Sequence, residues 1–198
     1  MKKGYLAALL MIVFIALALS YEELTALDEF AHNALFGNEF LKMFTWFGNT
    51  STVIGIAVVM IVWQLIIRNW RGAVLVLAGV GGATMINQLL KGLFERPRPE
   101  MIDQLESFSF PSGHAMMSVG YLFVLAYLMA KHIANRSMQR VLFSWVLLLV
   151  VCIGLSRIAR GHHYITDILA GWCLAGAWVI ACVIWYEWRS EGRKIQSK

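Results

Sequence analysis

The sequence SRIARGHHYITDILAGWCLAGAWVIACVIWY (residues 156–186) joins a polar stretch to a long apolar one, and this junction decides the fold. Its first twelve residues contain two arginines and two histidines and end at Asp167. The nineteen residues that follow Asp167 carry no formal charge. A helix of about 20 apolar residues spans the hydrocarbon core of a bilayer. The junction therefore predicts a membrane-spanning helix with polar, charged side chains gathered at its first turn.

The whole chain has the composition of a membrane protein. Of its 198 residues, 59% are hydrophobic and 15% are charged, unlike a soluble domain of this size. Six apolar segments are long enough, or nearly so, to cross a bilayer: 4–20, 51–67, 72–90, 115–130, 141–155 and 167–186. The first resembles a secretory signal peptide, but we expect it to be kept as a helix. We predict an all-α bundle of six transmembrane helices forming one domain over residues 1–198.

The segment between the first and second predicted spans, residues 21–50, has its own pattern. Leucines and phenylalanines recur there among polar residues at loosely helical spacing. This pattern predicts one or two short helices that lie on the outer surface of the membrane. Packing at that surface is the simpler interpretation, and a lid or guide for lipid entry is the alternative.

Charge predicts the orientation of the bundle, because Lys and Arg near helix ends are retained in the cytoplasm. With the N-terminus inside, both termini are cytoplasmic and that side holds eleven of the seventeen basic residues: Lys2, Lys3, Arg68, Arg71, Lys131, Arg136, Arg140, Arg189, Arg193, Lys194 and Lys198. The net charge of +5 thus comes from basic residues at the cytoplasmic side of the membrane, and it does not indicate a nucleic-acid partner. Apart from Lys42, the outer basic residues cluster at helix ends, at Lys91, Arg96, Arg98, Arg157 and Arg160.

The outer cations predict a phosphate site. Cations near the hydrocarbon region are costly unless an anion accompanies them. Lys91, Arg98 and Arg157 carry three positive charges and Asp167 one negative charge, which leaves about +2, the charge that balances a phosphate dianion. Arginine presents a planar fork that suits phosphate oxygens. We therefore expect these side chains to bind a phosphate group.

A second motif, PSGH (residues 111–114), precedes the fourth apolar segment. The free backbone N–H groups of Ser112 and Gly113 at a helix N-terminus predict an anion site. Ser112 is also a plausible side-chain cap for that helix. His114 would lie in the first turn, where an imidazole can transfer protons near neutral pH.

His163 and Asp167 are four residues apart, so they share a helix face if the helix begins by His163. The carboxylate would then hold one ring nitrogen protonated and leave the other as a nucleophile. Two histidines and an aspartate are also compatible with a metal site. The surrounding cations would repel a divalent ion, so we predict no metal and no cofactor.

Taken together, the motifs resemble the type 2 phosphatidic acid phosphatase family. The resemblance rests on Lys91, Arg98 and Pro99, then PSGH, then Ser156, Arg157, His163 and Asp167, all in order and at the family's spacing. It covers nearly the whole chain and is strongest for small bacterial enzymes of the phosphatidylglycerophosphate phosphatase and undecaprenyl pyrophosphate phosphatase type. The spacing selects Arg98 over Arg96 and His163 over His162. We expect the residues outside the pattern, Arg96, Arg160 and His162, to lie on the solvated surface, and contact with a second phosphate or a lipid headgroup is the alternative.

The resemblance implies a role for each motif residue. His163 would attack phosphorus to form a phosphohistidine, Asp167 would orient it, and His114 would protonate the leaving oxygen and later activate water. Ser156 would have a supporting role, and the phosphate oxygens would be held by Lys91, Arg98, Arg157, Ser112 and the Gly113 amide. The implied protein is a metal-independent lipid phosphatase of the bacterial plasma membrane with an extracytoplasmic site. Its implied substrates are undecaprenyl pyrophosphate, phosphatidylglycerol phosphate and phosphatidic acid.

Three other classes of protein are compatible with parts of this pattern. A non-catalytic lipid-phosphate transporter or binding protein would need the cations but not the histidine pair with its aspartate. An intramembrane serine protease could use Ser112 and a histidine, but it has no use for a cation cluster. The vanadium haloperoxidases share the phosphatase motif, but they are soluble.

Overall fold

Helices are the regular secondary structure of the part of the chain that the structure describes, and loops join them. A computed structural model describes residues 2–100 and 106–196, with side chains to residue 188, and no strand occurs among them. The helices are α1 (Lys2–Ser20), α2 (Thr25–Leu35), α3 (Glu39–Lys42), a 3₁₀ helix (Met43–Gly48), α4 (Thr50–Ile66), α5 (Trp70–Val76), a π-helical turn (Leu77–Gly82), α6 (Ala83–Phe94), α7 (Gly113–Ala130), α8 (Arg136–Ala159) and α9 (Ile165–Gln196). The predicted domain limits, residues 1 and 198, lie outside the described residues, as do the side chains of Arg189, Arg193, Lys194 and Lys198.

Within the described part of the chain, five stretches of helix are long and apolar enough to cross a membrane: α1, Trp70–Phe94, α7, α8 and Ile165–Trp188. A sixth is obtained when Glu39–Gly48 and α4 are taken as one span bent by 48°. The predicted all-α membrane bundle is confirmed, with its second span in this bent form. Of the short helices in the segment predicted to lie between the first two spans, α2 lies wholly between them, and α3 with the 3₁₀ helix forms the first limb of the bent span.

α7 is the central helix of the bundle. It packs against α8 and α9, and α1 packs along α9. Met116, Tyr121 and Val124 of α7 are almost completely buried. By contrast, α1 and α4 expose leucine, isoleucine and valine side chains over much of their surface. These exposed apolar faces suit contact with lipid, which removes the penalty that water would impose on them.

Small residues let the central helices approach closely. A Cβ atom added at Gly154 of α8 would lie 2.3 Å from Cζ2 of Trp172 and 2.8 Å from Cγ2 of Ile168, both on α9. In the π-helical turn, a Cβ at Gly79 would lie 2.7 Å from Cγ2 of Val124, and one at Gly82 would lie 2.6 Å from Cζ2 of Trp178. Close packing of this kind is a main source of helix association in membranes.

The helix ends divide the basic residues between the two ends of the bundle. The ends of α6 and α8 and the starts of α7 and α9 meet at one end, where the predicted phosphate-site residues gather. At the other end, Lys3 pairs with Glu187, and Lys131 donates a hydrogen bond to the Tyr186 hydroxyl at 3.2 Å. This division follows the charge pattern of the sequence.

Replacing Gly154 with alanine is expected to destabilise the bundle, because the new methyl group would force α8 and α9 apart. Overpacking of this kind costs about 1–3 kcal/mol. The measurement is the thermal unfolding midpoint in detergent. The matched control is Gly55→Ala on α4, where a Cβ would meet nothing within 4 Å. A Gly154→Ala midpoint equal to that of the control would show that the contact with Trp172 relaxes freely.

Candidate active site

His163 and Asp167 form a buried pair at the entry to α9. Nδ1 of His163 lies 3.2 Å from Oδ2 of Asp167, and the two side chains are 2% and 0% exposed. The condition stated for this pair, a helix that begins by His163, is not met, because α9 begins at Ile165 and His163 belongs to the link from α8. The pair forms nonetheless, because the carboxylate reaches back to this link and also accepts from the Tyr164 N–H at 2.9 Å.

The second ring nitrogen of His163 faces a cation. Nε2 lies 3.1 Å from Nη1 of Arg98. A guanidinium only donates, so Nε2 bears a lone pair and Nδ1 carries the proton that is shared with Asp167. Burial lowers the pKa of His163 to about 3, although the hydrogen bond and charge of Asp167 act in the opposite direction. The imidazole is therefore neutral at physiological pH, as a nitrogen nucleophile must be.

The three predicted phosphate-binding cations are all buried. Lys91, Arg98 and Arg157 are 7%, 8% and 4% exposed. Backbone carbonyls position two of them, since Lys91 donates to the Phe108 carbonyl and Arg98 donates to the Ser107 carbonyl at 2.6 Å. Burial lowers the pKa of Arg98, because the charged guanidinium is less stable away from water. Such desolvated cations favour the arrival of an anion.

The PSGH motif forms the start of α7, as predicted. The backbone N–H of Ser112 donates to the Asp167 carbonyl at 3.1 Å, which ties this start to α9. Ser112 occupies the N-cap position, but its side chain makes no capping hydrogen bond, so the predicted side-chain cap is wrong. Gly113 packs against Asn87, and a Cβ there would lie 3.1 Å from the Asn87 Oδ1.

His114 is half-buried beside the 3₁₀ helix. Its Nε2 lies 3.3 Å from Oδ1 of Asn49. Gly48 packs against the imidazole, and a Cβ at that position would lie 2.5 Å from Cδ2 of His114. The position of the His114 ring is therefore set by residues of the segment 21–50 as well as by its own helix.

Two buried polar atoms in the cluster have no hydrogen-bond partner among the described residues: Oγ of Ser112 and Nε of Arg157. Buried polar groups in proteins almost always have a partner, so each such atom calls for an explanation. An oxygen of a phosphate group can accept a hydrogen bond from both. These atoms, with the N-terminus of α7, indicate where phosphate oxygens would bind.

Ser156 is buried, but it does not face the cations. Its hydroxyl lies 2.8 Å from Oγ1 of Thr45 and donates to the Ile153 carbonyl at 2.6 Å. Thr45 in turn accepts a hydrogen bond from Nη1 of Arg157 at 3.3 Å. Ser156 is thus linked to Arg157 through Thr45, and the supporting role expected for it stays a prediction.

Arg96 is not on the solvated surface, and that prediction is wrong. The residue is 7% exposed, and its guanidinium bridges two carboxylates, 2.7 Å from Asp28 and 2.6 Å from Asp167. His162 is also misassigned, since it is half-buried and accepts a hydrogen bond from Nη2 of Arg157 at 2.6 Å. Arg160 is exposed, as predicted.

Four residues of the site belong to no motif and were not predicted from the sequence: Asp28, Thr45, Asn49 and Ser109. Ser109 is completely buried and donates its hydroxyl hydrogen to Oδ2 of Asp167. The repeated Arg-Pro of residues 96–99 was the one available signal for Arg96.

The net charge of the site does not change when the two buried residues that the sequence did not predict, Arg96 and Asp28, are included. Arg96 adds one positive charge and Asp28 one negative charge, so four cations and two carboxylates leave the same +2. Among the described residues, no three His, Cys, Asp or Glu side chains are grouped as metal ligands would be. The arrangement as a whole suits a phosphate dianion held by fixed cations.

Comparison with known proteins gives concordant findings. A family model for the PAP2 superfamily matches residues 72–191, which include all three predicted motifs. A phosphatidylglycerophosphatase B of Bacillus subtilis strain 168 is 31% identical over 140 residues, or 69% of each chain.

Two solved structures have the same fold. A crystal structure described as the first transmembrane PAP2 type phosphatidylglycerolphosphate phosphatase, from Bacillus subtilis, superposes with a TM-score of 0.83 at 27% identity, covering 92% of this chain and 96% of that one. The structure of Aquifex aeolicus LpxE superposes with a TM-score of 0.54 at 23% identity, over 73% of this chain and 83% of that one, and is a likeness of fold alone. The predicted family resemblance is confirmed.

The low pKa of His163 leads to a spectroscopic prediction. In protein labelled with ¹⁵N-histidine, the His163 ring is expected to remain a neutral Nδ1–H tautomer from about pH 5 to 8, because its pKa of about 3 lies below this range. NMR of the ring nitrogens makes the measurement, and the spectrum of His163→Gln assigns the signal. A His163 ring that titrates near pH 6.5 would contradict the buried, neutral nucleophile.

Proposed function

The chain belongs to the PAP2 superfamily and is a membrane hydrolase of lipid phosphates, and on this premise we propose that it acts through a phosphohistidine at His163. The main support is the two-sided environment of the imidazole. Nδ1 is held by the Asp167 carboxylate at 3.2 Å, and Nε2 points at the cation Arg98 at 3.1 Å. A neutral nitrogen directed at a cluster of cations is placed to attack a bound phosphate.

In the first half-reaction, the Nε2 lone pair of His163 forms a bond to phosphorus, and the bond from phosphorus to the lipid oxygen breaks. His114 gives its proton to the leaving oxygen, which departs with the lipid as an alcohol or as a monophosphate. The His163 ring becomes cationic in this step. Asp167 stabilises that charge through the Nδ1–H hydrogen bond.

In the second half-reaction, water attacks the phosphohistidine. His114, now neutral, takes a proton from the water, the nitrogen–phosphorus bond breaks, and inorganic phosphate leaves. His163 and His114 return to their starting protonation states. One water molecule is consumed for each phosphate released.

The negative charge that spreads over the phosphate oxygens needs fixed positive partners. We assign this role to five groups around the start of α7: Lys91, Arg98, Arg157, Ser112 and the Gly113 amide. The unpartnered Ser112 Oγ and Arg157 Nε support the assignment, since both can donate to an oxygen of the transferred group. Because fixed cations stabilise the charge, we propose that the reaction is independent of added metal.

We propose phosphatidylglycerol phosphate as the first substrate to test, because both Bacillus subtilis relatives are named for phosphatases of this lipid. Undecaprenyl pyrophosphate and phosphatidic acid are the further candidates. All three present a phosphate at the membrane surface on an apolar tail, which fits a cation cluster at the ends of membrane helices.

The role of His163 is tested by measuring phosphate release from the three lipids in the presence of EDTA. His163→Ala is expected to lower turnover of phosphatidylglycerol phosphate by about 10⁴-fold or more, because the nucleophile is lost. A rapid acid-free quench of wild type with ³²P-labelled substrate should trap an alkali-stable, acid-labile label that the variant lacks.

The control for this experiment is His132→Ala, which removes an exposed histidine at the opposite end of the bundle. It should retain wild-type turnover. Normal hydrolysis by His163→Ala would rule out the phosphohistidine. A requirement for a divalent ion would rule out the proposal that Lys and Arg side chains alone stabilise the charge. Binding of the lipid without phosphate release would favour the alternative of a non-catalytic lipid-phosphate transporter.

We further propose that both termini are cytoplasmic and that the site opens on the outer face of the plasma membrane. In a background with Cys152, Cys173 and Cys182 replaced by alanine, Glu29→Cys should react with a membrane-impermeant maleimide in right-side-out vesicles. Ser137→Cys, at the other end of the bundle, should react only after permeabilisation. Both positions are exposed, so exposure alone does not separate them. The reverse pattern of labelling would invert the proposed topology.

A further inference from the structure

We propose that Asp28, on the outer helix α2, is a positioning residue for the reaction that holds Asp167 in place through Arg96 and Thr166. This inference rests on the proposed function, because Asp167 acts on the nucleophile only if His163 is that nucleophile. Asp28 lies 138 residues from Thr166 in sequence and belongs to no motif. Its only connection to the site is through contacts in the folded chain.

Asp28 is buried between α2 and the first turn of α9. It is 3% exposed although it lies on a helix whose neighbouring positions, Leu27 and Glu29, are exposed. A carboxylate rarely occupies such a position unless it is paired. Here it turns away from the surface of α2 and towards the start of α9.

The first link from Asp28 to Asp167 is the guanidinium of Arg96. Nη2 of Arg96 lies 2.7 Å from Oδ2 of Asp28, and Nη1 lies 2.6 Å from Oδ1 of Asp167. The rings of Tyr21 and Tyr164 cover the guanidinium at 4.5 and 4.1 Å from their centroids. Nη1 of Arg96 also donates to the Thr166 hydroxyl at 2.7 Å. The cation is thus fixed by two carboxylates, two aromatic faces and a hydroxyl, and it cannot turn out to water without breaking these five contacts.

The second link is Thr166, the residue before Asp167. Oδ1 of Asp28 accepts from the Thr166 backbone N–H at 3.0 Å and lies 2.9 Å from the Thr166 hydroxyl. This N–H belongs to the first turn of α9 and has no acceptor within the helix. Asp28 therefore caps the helix that carries Asp167, where a negative charge also interacts favourably with the helix dipole.

These two links define what Asp28 does. Asp28 pairs with Arg96, so the guanidinium is shared between two carboxylates. Its pull on the Asp167 carboxylate is then weaker, and Asp167 keeps its hydrogen bond to His163. Asp28 also fixes the first turn of α9, which sets the direction of the Asp167 carboxylate. Asp28 touches neither His163 nor any of Lys91, Arg98 and Arg157 in the structure, so it acts on the nucleophile and not on phosphate binding.

The outer segment makes two similar contacts elsewhere in the site. Thr45 lies next to Arg157, and Asn49 lies next to His114. Residues 25–49 thus reach three parts of the cluster, and Asp28 makes the most buried of these contacts. The outer helices are therefore part of the site, in addition to any packing that they provide on the membrane.

The test is Asp28→Asn, which keeps the shape of the side chain and its acceptor for the Thr166 N–H while removing the charge. We expect kcat to fall by about 10–100-fold, because supporting contacts of this kind have effects of that size. KM is expected to stay within about threefold of wild type, since the phosphate-binding cations are untouched. The matched control is Glu29→Gln, which removes the same charge from an exposed neighbour on the same helix and should leave kcat within about twofold.

Two further measurements separate positioning from a loss of folding. Competitive inhibition by inorganic phosphate should be unchanged in Asp28→Asn, because it reports the intact cation cluster. A double variant, Asp28→Asn with Arg96→Gln, should be no slower than Arg96→Gln alone if Asp28 acts through Arg96. A phosphate inhibition constant that rises as much as kcat falls would overturn the positioning role.

An unchanged kcat in Asp28→Asn would also overturn it. The outcome is distinguishable from a failure of the proposed function. If His163→Ala is inactive and Asp28→Asn is fully active, only the role of Asp28 is wrong. If His163→Ala is active, the phosphohistidine itself is wrong.

Discussion

The carboxylate of Asp167 is the group on which the site depends. It is completely buried, and it accepts hydrogen bonds from the Ser109 hydroxyl, the Tyr164 N–H and Arg96, while it holds Nδ1 of His163. A buried carboxylate without such partners would be too costly to keep ionised. Its donors come from the loop before α7 and from the link between α8 and α9, so ionising this one group requires both segments to be in place. The backbone carbonyl of the same residue also fixes the start of α7.

The fold places this group where membrane helices end. Close packing of α7, α8 and α9 brings Ser112, Arg157 and His163 together at one end of the bundle, although they lie on three separate elements. Cations at such a position are neither fully solvated nor deep in hydrocarbon, so they keep their charge and still attract an anion strongly. A lipid can present its phosphate to them while its tail stays among the exposed apolar faces of the bundle.

The sequence predicted the parts of the site that a local pattern encodes. The spacing of Lys91 and Arg98, the PSGH motif and the four-residue separation of His163 and Asp167 all carry information about neighbours along the chain. Hydropathy predicted the spans for the same reason. The Asp28 contact depends on two segments far apart in sequence, and nothing about α2 alone distinguishes this acid from the exposed Glu29. Arg96 was misplaced because its burial comes from Asp28, Tyr21 and Tyr164, which only the folded chain brings together.

The π-helical turn at Leu77–Gly82 interrupts the regular helical repeat of the third membrane span. A residue inserted or deleted in a regular helix rotates everything beyond it by about 100°. In this span such a change between residues 83 and 90 would turn Lys91 away from the cluster, because α6 is regular as far as Phe94. In the π-helical turn before α6 the backbone winds more widely than in an α-helix, and this turn is fixed in place because Gly79 packs against Val124 and Gly82 packs against Trp178. The direction of the Lys91 side chain is therefore set by the number of residues between this turn and the end of α6.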